Sequence, residues 1–259
     1  MAEFSDLRAR ALSGAAMAGL GAGAIWLGGP VFRVLVCVLS GLMVWELSRM
    51  LDPDAAFGKA EAAGFTAAVV LIVFIWRFDG MVLLSLTALV AVLLAWRFPK
   101  DRSVAGAYLG LILLAGLGLI ALRGDFGALW VLWLVALVVG SDVAGYFAGR
   151  IFGGPKLWPR VSPKKTWSGT VAGWAVAVAV ALLFMPLLAA GPGLIVASVL
   201  IAMAGQAGDI AQSAIKRHAG VKDSSNLIPG HGGVMDRFDA LVAAALVELV
   251  LAQTGFLGG

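Results

Sequence analysis

The sequence of residues 208–239 is GDIAQSAIKRHAGVKDSSNLIPGHGGVMDRFD, and it concentrates charge in an otherwise apolar chain. The whole protein of 259 residues is 61% hydrophobic and only 13% charged. This segment nevertheless holds Asp209, Lys216, Arg217, His218, Lys222, Asp223, His231, Asp236, Arg237 and Asp239. Burying a charge in apolar surroundings is costly unless the charge is paired or bound to a metal. We therefore predict that residues 208–239 meet water and form the functional site.

Outside this segment the composition is typical of a polytopic α-helical membrane protein. The mean hydropathy is +0.97 and the chain contains 34 glycines. Strands of a membrane barrel alternate apolar and polar residues, whereas residues 109–122 and 176–190 are apolar on every face. The single cysteine, Cys37, excludes an intramolecular disulfide.

Nine apolar windows approach the length of about 20 residues that spans a bilayer. They cover residues 11–28, 31–48, 63–76, 80–96, 103–122, 126–147, 168–190, 193–215 and 238–257. Only Gly28, Gly29 and Pro30 separate the first two windows, which leaves a count of eight open. We predict an all-α polytopic membrane protein with about nine transmembrane helices.

The distribution of lysine and arginine predicts the orientation of these helices. Nine spans would place 16 of the 19 basic residues on the side of the N-terminus, and only Arg33, Arg77 and Arg123 on the other side. Because basic residues favour the cytoplasmic side, we expect a cytoplasmic N-terminus and an external C-terminus. Residues 1–125 would serve packing, lipid access and dimerisation. Residues 126–259 would form the catalytic part, with cytoplasmic loops 148–167 and 216–237.

Outside the charged segment, three acidic residues lie within the predicted spans. Glu46 is expected to pair with Arg49, three residues later on the same helix. Asp142 lies late in the sixth span, where an acidic residue at membrane depth indicates a functional site, although a structural pair with a cation would also explain it. For Glu248 an ion pair between helices and a contact with substrate both remain open.

The loop between the sixth and seventh spans contains the segment SPKKT, residues 162–166. Three prolines in this loop prevent it from being helical. Ser162 and Thr166 supply hydroxyls, and Lys164 and Lys165 supply ammonium groups, just before a helix begins. This combination suits the oxygens of a polyphosphate, although a loop held against anionic lipid headgroups would look similar. The spacing differs from that of a Walker A loop.

The charged segment itself combines acidic and basic residues on one helical face. Asp209, Ser213, Lys216 and Arg217 recur at helical spacing, and Asp236 begins the next helix. Two carboxylates at neighbouring helix ends, with few nitrogen or sulfur ligands nearby, favour a hard cation such as Mg²⁺ bridged to phosphate.

His231, between two glycines of this segment, has two interpretations. It either contacts a phosphate or substrate, or it makes a hydrogen bond within the loop. The spacing of His218 and His231 is not that of a zinc site.

Residues 213–239 resemble the signature of the phosphatidate cytidylyltransferases, the membrane CDP-diacylglycerol synthases. The segments SDVAGYFAGR, residues 141–150, and SPKKTWSG, residues 162–169, are similar to that family's middle motifs. Gly145 stands where alanine is more usual in the family. The first half of the chain resembles the family only in being a set of apolar helices.

The resemblance implies transfer of CMP from CTP to phosphatidic acid, which yields CDP-diacylglycerol for phospholipid synthesis and pyrophosphate. It implies metal binding by Asp209, Asp236 and Asp223, with Mg²⁺ or another divalent cation. The implied catalytic residues are Asp209, Asp236, Lys216 and Arg237. The residues expected to contact substrates are Asp142, Ser162, Lys164, Lys165, Thr166, Ser213, Arg217, Lys222 and His231.

Two alternatives share part of this evidence. A CTP-dependent kinase of a lipid alcohol would need the same nucleotide and metal. An ion transporter could line its pathway with Asp142, Asp209 and Glu248, but the first half lacks the matching polar residues that inverted repeats would supply.

The expected partners are CTP, phosphatidic acid and the lipid bilayer, and no nucleic acid. Whether two copies form a dimer and whether a monovalent cation takes part remain open. We expect a prokaryotic inner membrane, with the active site facing the cytoplasm.

Overall fold

A computed structural model describes residues 2–54 and 58–256. Within these ranges the chain forms nine α-helices, a short π-helical segment between α5 and α6, and two short strands between α6 and α7. The helices are α1 (Ala2–Leu27), α2 (Gly29–Leu51), α3 (Lys59–Arg77), α4 (Gly80–Ala95), α5 (Arg102–Ala121), α6 (Ala128–Ile151), α7 (Trp167–Leu188), α8 (Gly193–His218) and α9 (Met235–Gln253). The π-helical segment is Leu122–Phe126. Each of the nine apolar windows overlaps with one α-helix, and the last window extends to residue 257, outside the described residues.

Six helical segments in the described ranges are long and apolar enough to cross a membrane. They are Gly29–Leu51, Lys59–Arg77, Arg102–Phe126, Ala128–Ile151, Trp167–Leu188 and Gly193–His218. The apolar helix α4 is shorter, at 16 residues. The prediction of a polytopic, integral membrane protein is thus confirmed, while the count of nine spans and the location of the termini stay predictions.

The first two apolar windows belong to separate helices. Gly28 has φ 62°, a left-handed conformation that glycine adopts readily, and it ends the helical run of α1. Pro30 follows in the first turn of α2, where a missing N–H leaves no helical hydrogen bond unmade. The short Gly-Gly-Pro connection is therefore sufficient to break the helix.

The loop between α6 and α7 forms an antiparallel hairpin. Its strands are β1 (Lys156–Trp158) and β2 (Ser162–Thr166), with Lys156 opposite Thr166 and Trp158 opposite Ser162. The prediction of an all-α fold needs this small correction. Prolines at 155, 159 and 163 exclude helix but are compatible with short strands and the turn between them.

The helices pack as two compact units. The N-terminal unit comprises Met1–Ile120 and Ala219–Phe238, and the C-terminal unit comprises Ala121–His218 and Asp239–Gly259. Residues 219–238, which include most of the charged loop, thus belong to the N-terminal unit. The predicted division of tasks at residue 125 stays a prediction.

Glycines allow close crossings of helices within each unit. In the N-terminal unit, a Cβ atom on Gly41 of α2 would lie only 2.7 Å from the carbonyl oxygen of Gly64 on α3. In the C-terminal unit, a Cβ atom on Gly208 of α8 would lie 2.8 Å from the carbonyl oxygen of Asp239 on α9. The second crossing brings Asp209 to the immediate vicinity of Asp239.

Candidate active site

A cavity of about 590 Å³ in the C-terminal unit collects many of the polar side chains of that unit. Its walls come from α6, β1, β2, α7 and α8. The polar and charged lining residues are Ser141, Asp142, Tyr146, Arg150, Lys156, Lys164, Lys165, Thr166, Thr170, Gln206 and Asp209. The two middle motifs and the beginning of the charged segment thus meet at one cavity.

Asp209 and Lys165 form an ion pair at this cavity. The Nζ atom of Lys165 lies 2.6 Å from Oδ2 of Asp209, and it also donates to the carbonyl oxygen of Gln206 at 3.2 Å. The side chains of Lys165 and Asp209 are 22% and 31% exposed. The sequence predicted separate tasks for these residues, phosphate binding and metal binding, and gave no sign of the pair between them.

Gln206, which the sequence analysis did not select, holds α7 and α8 together beside this pair. Its Oε1 atom accepts from Nε1 of Trp174 at 3.0 Å, and its Nε2 atom donates to the carbonyl oxygen of Thr170 at 3.2 Å. A Cβ atom on Gly173 would lie 2.5 Å from this amide nitrogen, so glycine is needed there. The sequence did contain a signal for Gln206, because it is a polar amide three residues before Asp209 in an otherwise apolar helix.

The hydroxyls at the beginning of α7 form hydrogen bonds with backbone groups of the protein. Oγ1 of Thr166 accepts from the backbone N–H of Gly169 at 3.2 Å, which makes Thr166 the N-cap of the helix. Oγ of Ser168 donates to the carbonyl oxygen of Gly153 at 2.5 Å. Lys164 is exposed and Ser162 is half-buried on β2. Phosphate binding by Ser162, Lys164 and Thr166 stays a prediction.

Three acidic side chains from different helices interact electrostatically in the C-terminal unit. Asp142 on α6 and Asp239 on α9 each interact with Asp209 on α8, and with each other. The neighbouring cations are Lys165, beside Asp142, and Lys216, beside Asp239. Asp239 was not among the predicted site residues, although its spacing of three from Asp236 at the start of a helix was a usable signal.

These acids offer the hard oxygen ligands that Mg²⁺ prefers. In the part of the chain that the structure describes, no three His, Cys, Asp or Glu side chains come close enough to hold one ion together. Mg²⁺ sites commonly use only one or two carboxylates, with phosphate and water oxygens completing the coordination. Two of these carboxylates, Asp209 and Asp239 on crossing helices, fit a site of that kind.

Glu46, in the N-terminal unit, binds the charged loop instead of Arg49. Its side chain is fully buried, and its two oxygens accept hydrogen bonds from four donors. The donors are Ser225 Oγ at 2.6 Å, Met235 N at 2.7 Å, Val234 N at 2.8 Å and Ser224 Oγ at 3.1 Å. Arg49 lies 3.5 Å from Glu61. The predicted Glu46–Arg49 pair is wrong, because the loop supplies donors at a buried position.

Asp236 closes the same loop from the side of α9. Its Oδ2 atom accepts from the backbone N–H of Ser224 at 2.8 Å, from that of Gly233 at 3.0 Å and from the hydroxyl of Ser224 at 3.0 Å. Asp236 therefore has a structural task at the beginning of the helix. Its role as a metal ligand, and that of the exposed Asp223, stay predictions.

His231 makes a hydrogen bond with α1. Its Nδ1 atom lies 2.8 Å from the hydroxyl of Ser13, which also donates to the carbonyl oxygen of Pro229 at 3.0 Å. Both contacts are satisfied when Nδ1 carries the hydrogen and donates to Ser13, a tautomer that we infer from the contacts. His231 thus makes a structural hydrogen bond, as one of its two interpretations predicted. Its contact with a phosphate or substrate stays a prediction.

The remaining predicted residues lie on both units. In the C-terminal unit, Ser213 and Lys216 are half-buried on α8 and Arg217 is exposed. In the N-terminal unit, Lys222 and Arg237 are exposed, and Nε of Arg237 donates to the carbonyl oxygen of His231 at 2.9 Å.

Glu248 is buried in α9, and neither of its carboxylate oxygens accepts a hydrogen bond from a described residue. The described residues also form no ion pair with it, so the structure offers no support for the ion-pair interpretation.

Comparison with known proteins addresses the whole chain. A family model described as the cytidylyltransferase family matches residues 8–254. A phosphatidate cytidylyltransferase of Brucella suis biovar 1 is 37% identical over 247 residues, covering 93% of this chain and 92% of that protein. A phosphatidate cytidylyltransferase of Pseudomonas aeruginosa is 33% identical over 248 residues, covering 86% and 88%. One from Bacillus subtilis is 38% identical over 122 residues, covering 46% and 45%.

The match to the family model extends into the first half of the chain, where the sequence motifs gave no specific signal. The resemblance inferred from residues 141–239 is confirmed, and the chain belongs to the cytidylyltransferase family.

Proposed function

We propose that this membrane protein transfers CMP from CTP to phosphatidic acid, forming CDP-diacylglycerol and pyrophosphate. Membership of the cytidylyltransferase family and the names of the relatives support this activity. The observation that carries the assignment of the site is the cavity of about 590 Å³, where Asp142 and Asp209 lie beside several cations. A nucleotide triphosphate needs this combination, because its phosphates require positive charge and its bound metal requires carboxylates.

The reaction needs little proton transfer from the protein. An oxygen of the phosphate group of phosphatidic acid attacks the α-phosphorus of CTP, and the bond from that phosphorus to the pyrophosphate oxygen breaks. A phosphate dianion is already nucleophilic near neutral pH, so no general base is needed. The task of the protein is to position the two phosphates and to stabilise the negative charge that develops.

The cations lining the cavity suit this task. Arg150, Lys156 and Lys164 are exposed residues, so a nucleotide that enters the cavity can reach them. We assign them to the phosphates of CTP. Lys165 instead pairs with Asp209, and we assign it to holding that carboxylate in position.

We propose Asp209 and Asp239 as the carboxylates that would hold Mg²⁺, because they lie on neighbouring helices and interact electrostatically. Asp236, three residues before Asp239 on α9, remains a predicted ligand. When bound, Mg²⁺ would neutralise charge on the pyrophosphate leaving group.

The cellular setting follows from the substrates and the charge distribution. CTP is water-soluble, whereas the acyl chains of phosphatidic acid stay in the bilayer. The basic loops favour a cytoplasmic site, and we propose a prokaryotic inner membrane as the location.

The position of the radiolabel tests the proposed function. Purified protein in mixed micelles with phosphatidic acid receives CTP labelled at either the α- or the γ-phosphorus, with and without Mg²⁺. We expect α-label in the lipid product and γ-label in pyrophosphate, with both signals dependent on Mg²⁺. Transfer of γ-label to lipid would indicate a kinase, and the absence of any labelled lipid product would contradict the proposal.

A further inference from the structure

Glu46 on α2 accepts four hydrogen bonds, although it lies far in sequence from every family motif. Its four hydrogen-bond donors lie 178 to 189 residues later in the chain. Two of them, the N–H groups of Val234 and Met235, are at the beginning of α9. The first N–H groups of a helix have no partner within the helix and favour a negative charge nearby. Glu46 therefore caps α9 from another part of the chain.

The packing around Glu46 leaves no room for adjustment at Gly233. A Cβ atom added there would collide with the hydroxyl of Ser224 and with Oε1 of Glu46. The buried carboxylate, the serine and the glycine backbone are thus in direct contact. Such packing defines one position for the loop, because any displacement would break several hydrogen bonds at a buried site.

Ser224 connects Glu46 to Asp236. Its hydroxyl lies 3.1 Å from Oε2 of Glu46 and 3.0 Å from Oδ2 of Asp236. The two carboxylates share this single hydroxyl, and both accept backbone N–H groups from residues 224–235. Glu46 consequently fixes the turn through which Asp236 enters α9, and α9 continues from this turn to Asp239.

We propose that Glu46 is a positioning residue for the transfer reaction, which rests on the proposed function. Its carboxylate holds residues 224–235 and the first turn of α9 in one conformation. Glu46 is not a lining residue of the cavity, and we infer that it acts through Asp236 and the loop.

The isosteric substitution Glu46→Gln is the sharpest test. Either orientation of the new amide would direct its NH₂ group at a backbone N–H, of Val234 or of Met235, and neither can accept a hydrogen bond. Size and packing stay nearly unchanged. The matched control is Glu61→Gln, which alters a carboxylate of the same unit that contacts Trp45 and Gly58.

Hydrogen exchange and steady-state kinetics measure the effect on purified, full-length protein. For Glu46→Gln we expect amide exchange at residues 224–236 to accelerate by about tenfold, because the loop opens more easily. We expect kcat to fall by about 10- to 100-fold, since small misplacements have effects of that size. KM for CTP and phosphatidic acid should stay within about threefold, because ground-state contacts remain. In Glu61→Gln, amide exchange at residues 224–236 and kcat should stay at the wild-type values.

Several outcomes would overturn the inference. Unchanged exchange or unchanged kcat in Glu46→Gln would do so. A tenfold rise in KM with constant kcat would also do so, because it would assign the loop to substrate binding instead.

If Glu46→Gln fails to accumulate in membranes, Ser225→Ala tests the inference instead. This substitution removes one hydrogen-bond donor to Glu46 and leaves the carboxylate in place. A local acceleration of exchange with a severalfold lower kcat would support the inference, and wild-type values would overturn it. If wild-type protein transfers no CMP, the proposed function fails. The exchange data still decide whether Glu46 holds the loop.

Discussion

Asp209 and Glu46 are both carboxylates on helices of a membrane protein, but their surroundings differ. Asp209 borders a cavity of about 590 Å³, its side chain is 31% exposed, and its partner is the ammonium group of Lys165. Glu46 is sealed from solvent and accepts four hydrogen bonds from one loop. A carboxylate that borders a cavity is able to exchange partners during a reaction, whereas a sealed one maintains structure. An acidic residue within a membrane helix therefore has either a catalytic or a structural role, and its contacts distinguish the two.

The largest expected effect is at Asp209. Asp209→Asn should lower kcat by about 100- to 1,000-fold, because it removes a charge that acts on the phosphates or their metal in the transition state. Protein abundance in the membrane should stay at the wild-type level. The radiolabel assay measures the rate, with the exposed Asp54→Asn as control. Wild-type turnover in purified Asp209→Asn would contradict a role for Asp209 in the reaction.

Gly233→Ala should be the most destabilising of these changes. The added methyl group would collide with Glu46 and Ser224, and overpacking of a dense site costs about 1–3 kcal/mol. A lower Tm in detergent would report this loss. The matched control is Gly19→Ala on α1, where an added Cβ would have no neighbour within 4 Å. Equal Tm values for the two variants would contradict the tight packing around Glu46.

Lys165→Met should have an intermediate effect on catalysis. Removal of the ammonium group leaves Asp209 without its ion-pair partner, and we expect kcat/KM to fall by about tenfold. Lys59→Met, at a lysine of the N-terminal unit outside this cavity, serves as control. A loss restricted to KM for CTP would instead assign Lys165 to direct phosphate binding.

The smallest expected effect is at Ser13. Ser13→Ala removes the hydroxyl between His231 and Pro229, which should destabilise the contact of α1 with the loop by about 0.5–1.5 kcal/mol. Faster amide exchange limited to residues 230–232 would measure it, with kcat changed by no more than about twofold. A larger loss of kcat would indicate that His231 contributes to catalysis.

The sequence predicts the elements of the fold well, because apolar length and short glycine or proline connections are local signals. The break at Gly28 is one example. Asp142, Lys164, Lys165 and Asp209, which the resemblance implies as site residues, line one cavity of the C-terminal unit, and their roles stay predictions. The hairpin was missed because the prolines that exclude helix do not specify the pairing of strands.

The partners of individual side chains could not be predicted in the same way. Glu46 was assigned to Arg49 because a spacing of three is the only relation that the sequence displays. Its actual donors are 178 to 189 residues away. Asp239 was overlooked because its proximity to Asp209 depends on the crossing of α8 and α9 at Gly208, which is a property of the folded chain.

The capping of α9 by Glu46 has a consequence for chimeric enzymes. The sequence motifs lie between residues 141 and 239. A graft of that segment onto another set of helices would therefore transfer all of these motifs. The recipient would lack the distant acceptor unless its own second helix offered a glutamate at the corresponding depth. Compatibility between donor and recipient would then be decided by one residue in a region that has no motif.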